Sequence, residues 1–148
     1  MKNKNKFIQV ALFAALATTV FVMSSHNSVN NTLTTSESCV LTNNKCTFSI
    51  DEQILRIEFS QTPIAEEELY IKFYTDSAWS VQNAFVQGIN MYMGKTPVLF
   101  EKPDNFEDGV IFLGSCNLAE MHWQMTINLS NKKTANTKVL TVLFTTLQ

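Results

Sequence analysis

From Cys39 to the end of the chain, apolar positions recur at every second residue. "CTFSID" sets Cys46, Phe48 and Ile50 against polar neighbours. "ILRIEFS" puts Leu55, Ile57 and Phe59 on one face and Arg56 and Glu58 on the other. "LYIKFYT" repeats the pattern with Leu69, Ile71 and Phe73, and "MHWQMTINL" with Met121, Trp123, Met125, Ile127 and Leu129. The last segment, "KVLTVLFTT", is β-branched and mostly apolar. A period of two marks strands with one buried and one wet face. Turn signals separate them at 42–45 (TNNK), 61–68 (QTPIAEEE), 101–109 (EKPDNFEDG) and 130–137 (SNKKTANT). Residues 77–87, "SAWSVQNAFVQ", fit either period.

Strands at this spacing, with no amphipathic helix between them, predict an all-β fold. The expected architecture is an antiparallel immunoglobulin-like β-sandwich of seven or eight strands over residues 39–148. Composition agrees: eleven Phe and only four Gly stand in a chain of 148 residues, 45% of it apolar. That is enough for one domain with a sizeable core. The net charge of −2 is spread along the chain, without a basic patch, so nucleic acid is not an expected partner.

Residues 1–23 follow different rules. Lys2, Lys4 and Lys6 precede an uncharged run from Phe7 to Met23, the pattern of a segment sent to the secretion machinery. Residues 7–23 are just long enough to span a bilayer, so one N-terminal hydrophobic helix is expected as an uncleaved anchor in the inner membrane. Cleavage after Ser24, which would release the protein to the periplasm, is the alternative. Either way the remainder is exported, as a single-pass protein with its C-terminal domain in the periplasm if the anchor stays. Residues 24–38, rich in Ser, Thr and Asn, read as a flexible tether with little to bury. His26 falls in that tether and reads as solvated.

Three cysteines in an exported chain call for disulfide arithmetic. Cys39 and Cys46 flank "VLTNNK", which reads as a hairpin turning at Asn43-Asn44, and in that register they are diagonal neighbours. This pair leads, and it leaves Cys116 unpaired. Bridges from Cys39 or Cys46 to Cys116, or free thiols, remain as alternatives.

Sulfur is concentrated in two stretches, "NMYMG" and "SCNLAEMHWQM". Met91 and Met93, two apart on an expected strand, would share a face about 6.6 Å apart. Cys116 precedes Met121 at the entry of another strand, and His122 adds an imidazole. Thioethers and a thiolate are soft ligands that favour Cu(I). The competing reading is packing: Met121 and Met125 continue a core face beside Trp123, and His122 points to the other side of the strand from Met121. No nucleophile elbow, catalytic triad order or phosphate loop is present, so catalysis is not expected. The acidic run Glu66–Glu68 and the acids Asp104, Glu107 and Asp108 read as solvated turns without calcium-loop spacing.

The combination of an N-terminal anchor with "CVLTNNKCTF", "NMYMG" and "FLGSCNLAEMHWQM" resembles a group of small membrane-anchored periplasmic proteins of Gram-negative bacteria. More distantly, it is similar to the immunoglobulin-like domains of the YtkA, FixH and copper-resistance C type. Cys39, Cys46, Met91, Met93, Gly94, Cys116, Met121 and Trp123 carry the likeness. It implies a β-sandwich with copper ligands at its end and an accessory role in metal handling or oxidase assembly, beside a membrane protein complex. The chain has an anchor where mature copper-resistance proteins begin with a histidine ligand, which turns the expectation from Cu(II) to Cu(I).

Overall fold

The structure is a computed structural model and describes residues 37–75, 78–102 and 105–147. The expected anchor at 1–23, most of the tether and His26 lie outside the described residues. Ten strands occur among the described residues. These are β1 (Glu37–Val40), β2 (Lys45–Ile50), β3 (Gln53–Phe59), β4 (Glu68–Tyr74), β5 (Trp79–Gly88), β6 (Lys95–Pro97), β7 (Leu99–Lys102), β8 (Asn105–Phe112), β9 (Glu120–Asn131) and β10 (Thr137–Leu147). No described helix is long and apolar enough to cross a membrane.

The strands form two five-stranded sheets, ordered β1-β10-β9-β5-β6 and β2-β3-β4-β8-β7. The expected alternation is what packs them together. Cys46, Phe48, Ile50, Leu55, Ile57, Phe59, Leu69, Ile71 and Phe73 are buried from one sheet. Met121, Trp123, Met125, Ile127 and Leu129 are buried from the other, together with Leu140, Val142 and Phe144 of β10. Each fully buried side chain of this size stabilises the fold by roughly 1.5–3 kcal/mol before entropy is counted. The buried Trp123 indole donates to Thr146 Oγ1 at 3.0 Å, which satisfies its polar N–H.

Three expectations are corrected. First, there are ten strands, not seven or eight, and β1 runs parallel to β10 (Cys39 opposite Val142) instead of antiparallel. Second, residues 39–46 are not a hairpin within one sheet. The turn is there, with Asn43 and Asn44 at φ 51° and 62° and reciprocal Thr42–Lys45 backbone hydrogen bonds of 3.1 and 3.0 Å. After that single bridge the chain splits, β1 to one sheet and β2 to the other. The Cys39–Cys46 disulfide, Cα–Cα 6.0 Å, therefore staples the two sheets. Third, most of 101–109 is strand, not turn: β7 and β8 pair across it. Strand β1 also begins at Glu37, inside the stretch read as tether. Residues 79–88 resolve as strand, with a register shift between Val81 and Asn83.

The two outer faces differ in charge. On the β2-β3-β4-β8-β7 sheet, Glu58 pairs with Lys45 and Arg56, each at 3.0 Å, and Lys72 with Asp108 at 3.5 Å. On the other sheet the outward rows run Ser80–Ser130–Thr137, Asn83–Asn128–Val139, Phe85–Thr126–Thr141 and Gln87–Gln124–Leu143. None of these is an acid or a base.

Candidate functional site

Strand directions gather four connections at one end of the sandwich: the 42–45 turn, residues 60–67, residues 89–94 and residues 113–119. They are tied to each other by hydrogen bonds. Phe59 N donates to Asn44 O, Glu66 N to Leu113 O, and Ile89 N to His122 O, each at 2.8 Å. The Ser115 hydroxyl donates to Glu66 Oε1 at 2.8 Å, linking the second and fourth connections.

Every sulfur candidate lies at this end. Strands β5 and β9 are direct neighbours, with Gly88 opposite Trp123, so the segment after β5 meets the segment before β9. Asn90 fixes that meeting from both sides of its amide. Its Nδ2 donates to Glu120 O at 2.9 Å, and its Oδ1 accepts from His122 N at 3.0 Å. The chain then turns through Gly94, at φ 82°, a conformation that suits glycine.

Met91 and Met93 sit in this connection, not on a strand as the sequence suggested, because β6 begins only at Lys95. Both are exposed, at 39% and 38%. The Met93 methyl reaches back over Gly114, 3.1 Å from where a Cβ would stand. Cys116, two residues further on, is a free, half-buried thiol in the connection before β9. Its Sγ accepts a hydrogen bond from Leu118 N at 3.4 Å. The thioether of residue 93 and the 113–119 segment are thus brought together from distant parts of the chain.

The other two candidates are placed differently. Met121 is 1% exposed, and its methyl packs under Gly88, 3.0 Å from where a Cβ would stand. Gly88 is required here, since a Cβ would also strike the Met91 carbonyl oxygen. Met121 therefore supports the 89–94 segment from inside the core. His122 projects from the outer face, as its parity predicts, and lines a separate cleft. Among the described residues no group of three or more His, Cys, Asp or Glu is arranged to hold a metal ion.

That cleft was not anticipated. It has a volume of about 790 Å³ and opens between β1, the 42–45 turn, residues 62–63 and the ends of β9 and β10. Val40, Leu41, Pro63, Ile89, Leu143 and Phe144 supply apolar surface, with Trp123 beneath. Asn43, Asn44, Thr62, His122 and Thr145 supply polar groups, and no Asp, Glu, Lys or Arg lines it. The sequence signal was the parity of Leu143 and Thr145 in β10, but only the parallel pairing with β1 turns it into a wall.

Comparison with family models, with curated proteins and with solved structures finds no match to this chain. The functional reading therefore rests on geometry and chemistry.

Proposed function

We propose that this chain is a membrane-tethered, periplasm-facing accessory domain that binds one Cu(I) ion through Met91, Met93 and Cys116 and has no turnover of its own. The observation that carries this reading is the reach of the exposed Met93 thioether onto Gly114, in the segment that bears the free thiol Cys116. Two thioethers and one thiolate form a soft donor set, which suits Cu(I) and disfavours harder ions. Supporting this reading, Asn90 and the Ser115–Glu66 bond tie down the two connections that carry these residues, and Met121 packs behind the 89–94 segment.

The fold reading is that of an immunoglobulin-like sandwich. Its support is the strand order: β7-β8-β4-β3 against β6-β5-β9-β10 corresponds to D-E-B-A against C′-C-F-G in that class, with β1 beside the last strand and β2 added at an edge. The tether reading rests on Lys2, Lys4, Lys6 and the apolar run of residues 7–23. Within this reading the partner is a membrane protein complex whose maturation needs copper.

A second reading is a structural or interaction module of the cell envelope, in which the sulfurs only pack. The burial of Met121 and Met125 in the core favours it. Titration of the full chain in detergent with ascorbate-reduced Cu(I), without oxygen and against a chromophoric chelator, separates the two. About one Cu(I) should bind, and Met93→Leu with Cys116→Ser should abolish binding while the disulfide stays oxidised. No binding by the parent, or full binding by the double variant, leaves the interaction module as the function.

A further inference from the structure

The contrast between the two sheet faces carries a second inference, independent of copper. Charged residues make up 16% of this chain, and the β2-β3-β4-β8-β7 face carries several of them in ion pairs. Between Ser80 and Gln87 on β5, His122 and Ser130 on β9, and Thr137 and Thr145 on β10, no outward side chain is Asp, Glu, Lys or Arg. From Ser130 to His122 this face extends over about 27 Å at the usual rise of a strand.

What replaces charge is a set of groups that both donate and accept. Gln87 stands opposite Gln124, Asn83 opposite Asn128, and Thr126 opposite Thr141. Asn128 Nδ2 donates to Asn83 Oδ1 at 2.6 Å, which orients both amides and leaves each with further hydrogen-bonding capacity. Phe85 adds a half-buried ring in the same row as Thr126, with Lys95 Nζ from the edge strand 4.5 Å from its centroid. At the end of this face lies the 790 Å³ cleft, whose lining is equally free of Asp, Glu, Lys and Arg.

We propose that this face, with the cleft at its end, binds an uncharged polysaccharide. Sugar hydroxyls donate and accept, as amides and Ser/Thr hydroxyls do, and a neutral chain neither needs nor repels a fixed charge. An anionic polymer would meet Lys95 at the edge as its one Lys or Arg, and a cationic one would meet only Glu120, past His122 at the cleft end of β9. A lipid chain would offer nothing to the hydrogen-bonding groups that remain on these amides once Asn128–Asn83 and Gln124–Thr126 are paired, at a desolvation cost for each group. The cleft has the size of a small-ligand site and has room for a short stretch of a sugar chain, with apolar walls for its ring faces.

Affinity electrophoresis of the full chain tests this, run in a detergent without a sugar headgroup through gels containing hydroxyethyl cellulose. Calorimetry with an N-acetylglucosamine hexamer forms a second arm, and whichever neutral glycan binds names the source. Retardation or heat is expected with at least one of them and not with polygalacturonate. Gln87→Ala with Gln124→Ala should weaken the association constant at least tenfold. Thr126→Lys should do the same with an unchanged thermal midpoint, and Lys72→Ala on the opposite face should change nothing. The proposal is overturned if neither glycan binds, if polygalacturonate binds equally, or if Lys72→Ala matches the face variants. A dimer in sedimentation that Thr126→Lys dissociates, without glycan binding, would assign the face to a second copy of the chain instead.

Discussion

Breaking the Cys39–Cys46 bridge is the perturbation whose size follows most directly from the structure. The bond joins β1 of one sheet to β2 of the other, yet the residues it links are only seven apart. Its effect on the unfolded chain is therefore that of a short loop: closing about eight residues removes about 8 cal/mol/K, or about 2.5 kcal/mol at 25 °C. The β-domain has about 110 residues, so its unfolding entropy near the midpoint is about 0.23 kcal/mol/K, and the loss corresponds to a fall of about 11 °C in Tm. Cys46 is 2% exposed, so Cys46→Ala adds a small cavity, whereas Cys39→Ala probes the bond alone from its half-buried side. The assay is thermal unfolding of the full chain, followed by near-ultraviolet circular dichroism, for the parent, Cys39→Ala and Cys116→Ser. Cys39→Ala should melt about 11 °C lower than the parent, and strong reductant should lower the parent by the same amount. Cys116→Ser should melt with the parent, and the parent should contain one free thiol. A parent indifferent to reductant, or a Cys116→Ser protein that melts as low as Cys39→Ala, would refute the assignment of the bond.

Two further outcomes follow from single contacts. Thr146→Val strands the buried Trp123 indole N–H and should cost about 1–3 kcal/mol in urea unfolding, while the same change combined with Trp123→Phe should cost clearly less than the two single changes added together, since no orphaned donor remains. The hydrogen bond from Lys45, with the nearby charges of Lys45 and Arg56, holds the Glu58 carboxyl below its ordinary value of 4.5. A depressed folded value means that the stability from Glu58 is present above the unfolded value and lost as pH falls through the folded one. The Tm gap between the parent and Glu58→Gln should therefore narrow as pH falls below about 4.5, and a gap that stays constant would show the pairs to be unimportant.

What was legible in the sequence was whatever depends on local alternation. Leu55, Ile57 and Phe59, or Met121 through Leu129, declare their buried face because a strand's side chains repeat every two residues. What was illegible depends on where a strand goes after its turn. Asn43-Asn44 announced the turn, but the departure of β1 to β10 is a contact across a hundred residues with no local signature. Gly109 misled for a physical reason. It reads as a turn residue, yet it sits mid-strand, where a Cβ would strike Val98 and crowd the Phe73 and Phe100 rings. Met91 and Met93 imitate a strand, but the chain leaves β5 at Gly88 and does not pair again until Lys95. The candidate site was therefore visible as residue types and invisible as a shape. The uncharged face was present in the outward residues of β5 and β9, but only pairing placed Gln87 beside Gln124.

The same geometry explains how one thiol stays free beside a disulfide. Loop-closure cost rises as about 1.5 RT times the logarithm of loop length. Cys39 and Cys46 are seven residues apart, whereas Cys116 is 70 and 77 residues from them. The tenfold difference in length favours the short bridge by about 2 kcal/mol, about thirtyfold, before any fold contributes. Asn43 and Asn44 add to that bias, since a turn with both at positive φ brings Thr42 and Lys45 into register and the flanking cysteines towards each other. Cys116 is thus left without a disulfide partner by the statistics of the chain, and the fold then seats it in the 113–119 segment, two residues after the Gly114 that the Met93 methyl covers. A thiol excluded from disulfide exchange early in folding remains available as a ligand afterwards. On the proposed copper reading the local bridge matters for that reason: moving it to Cys116 would take the one cysteine ligand from the proposed site.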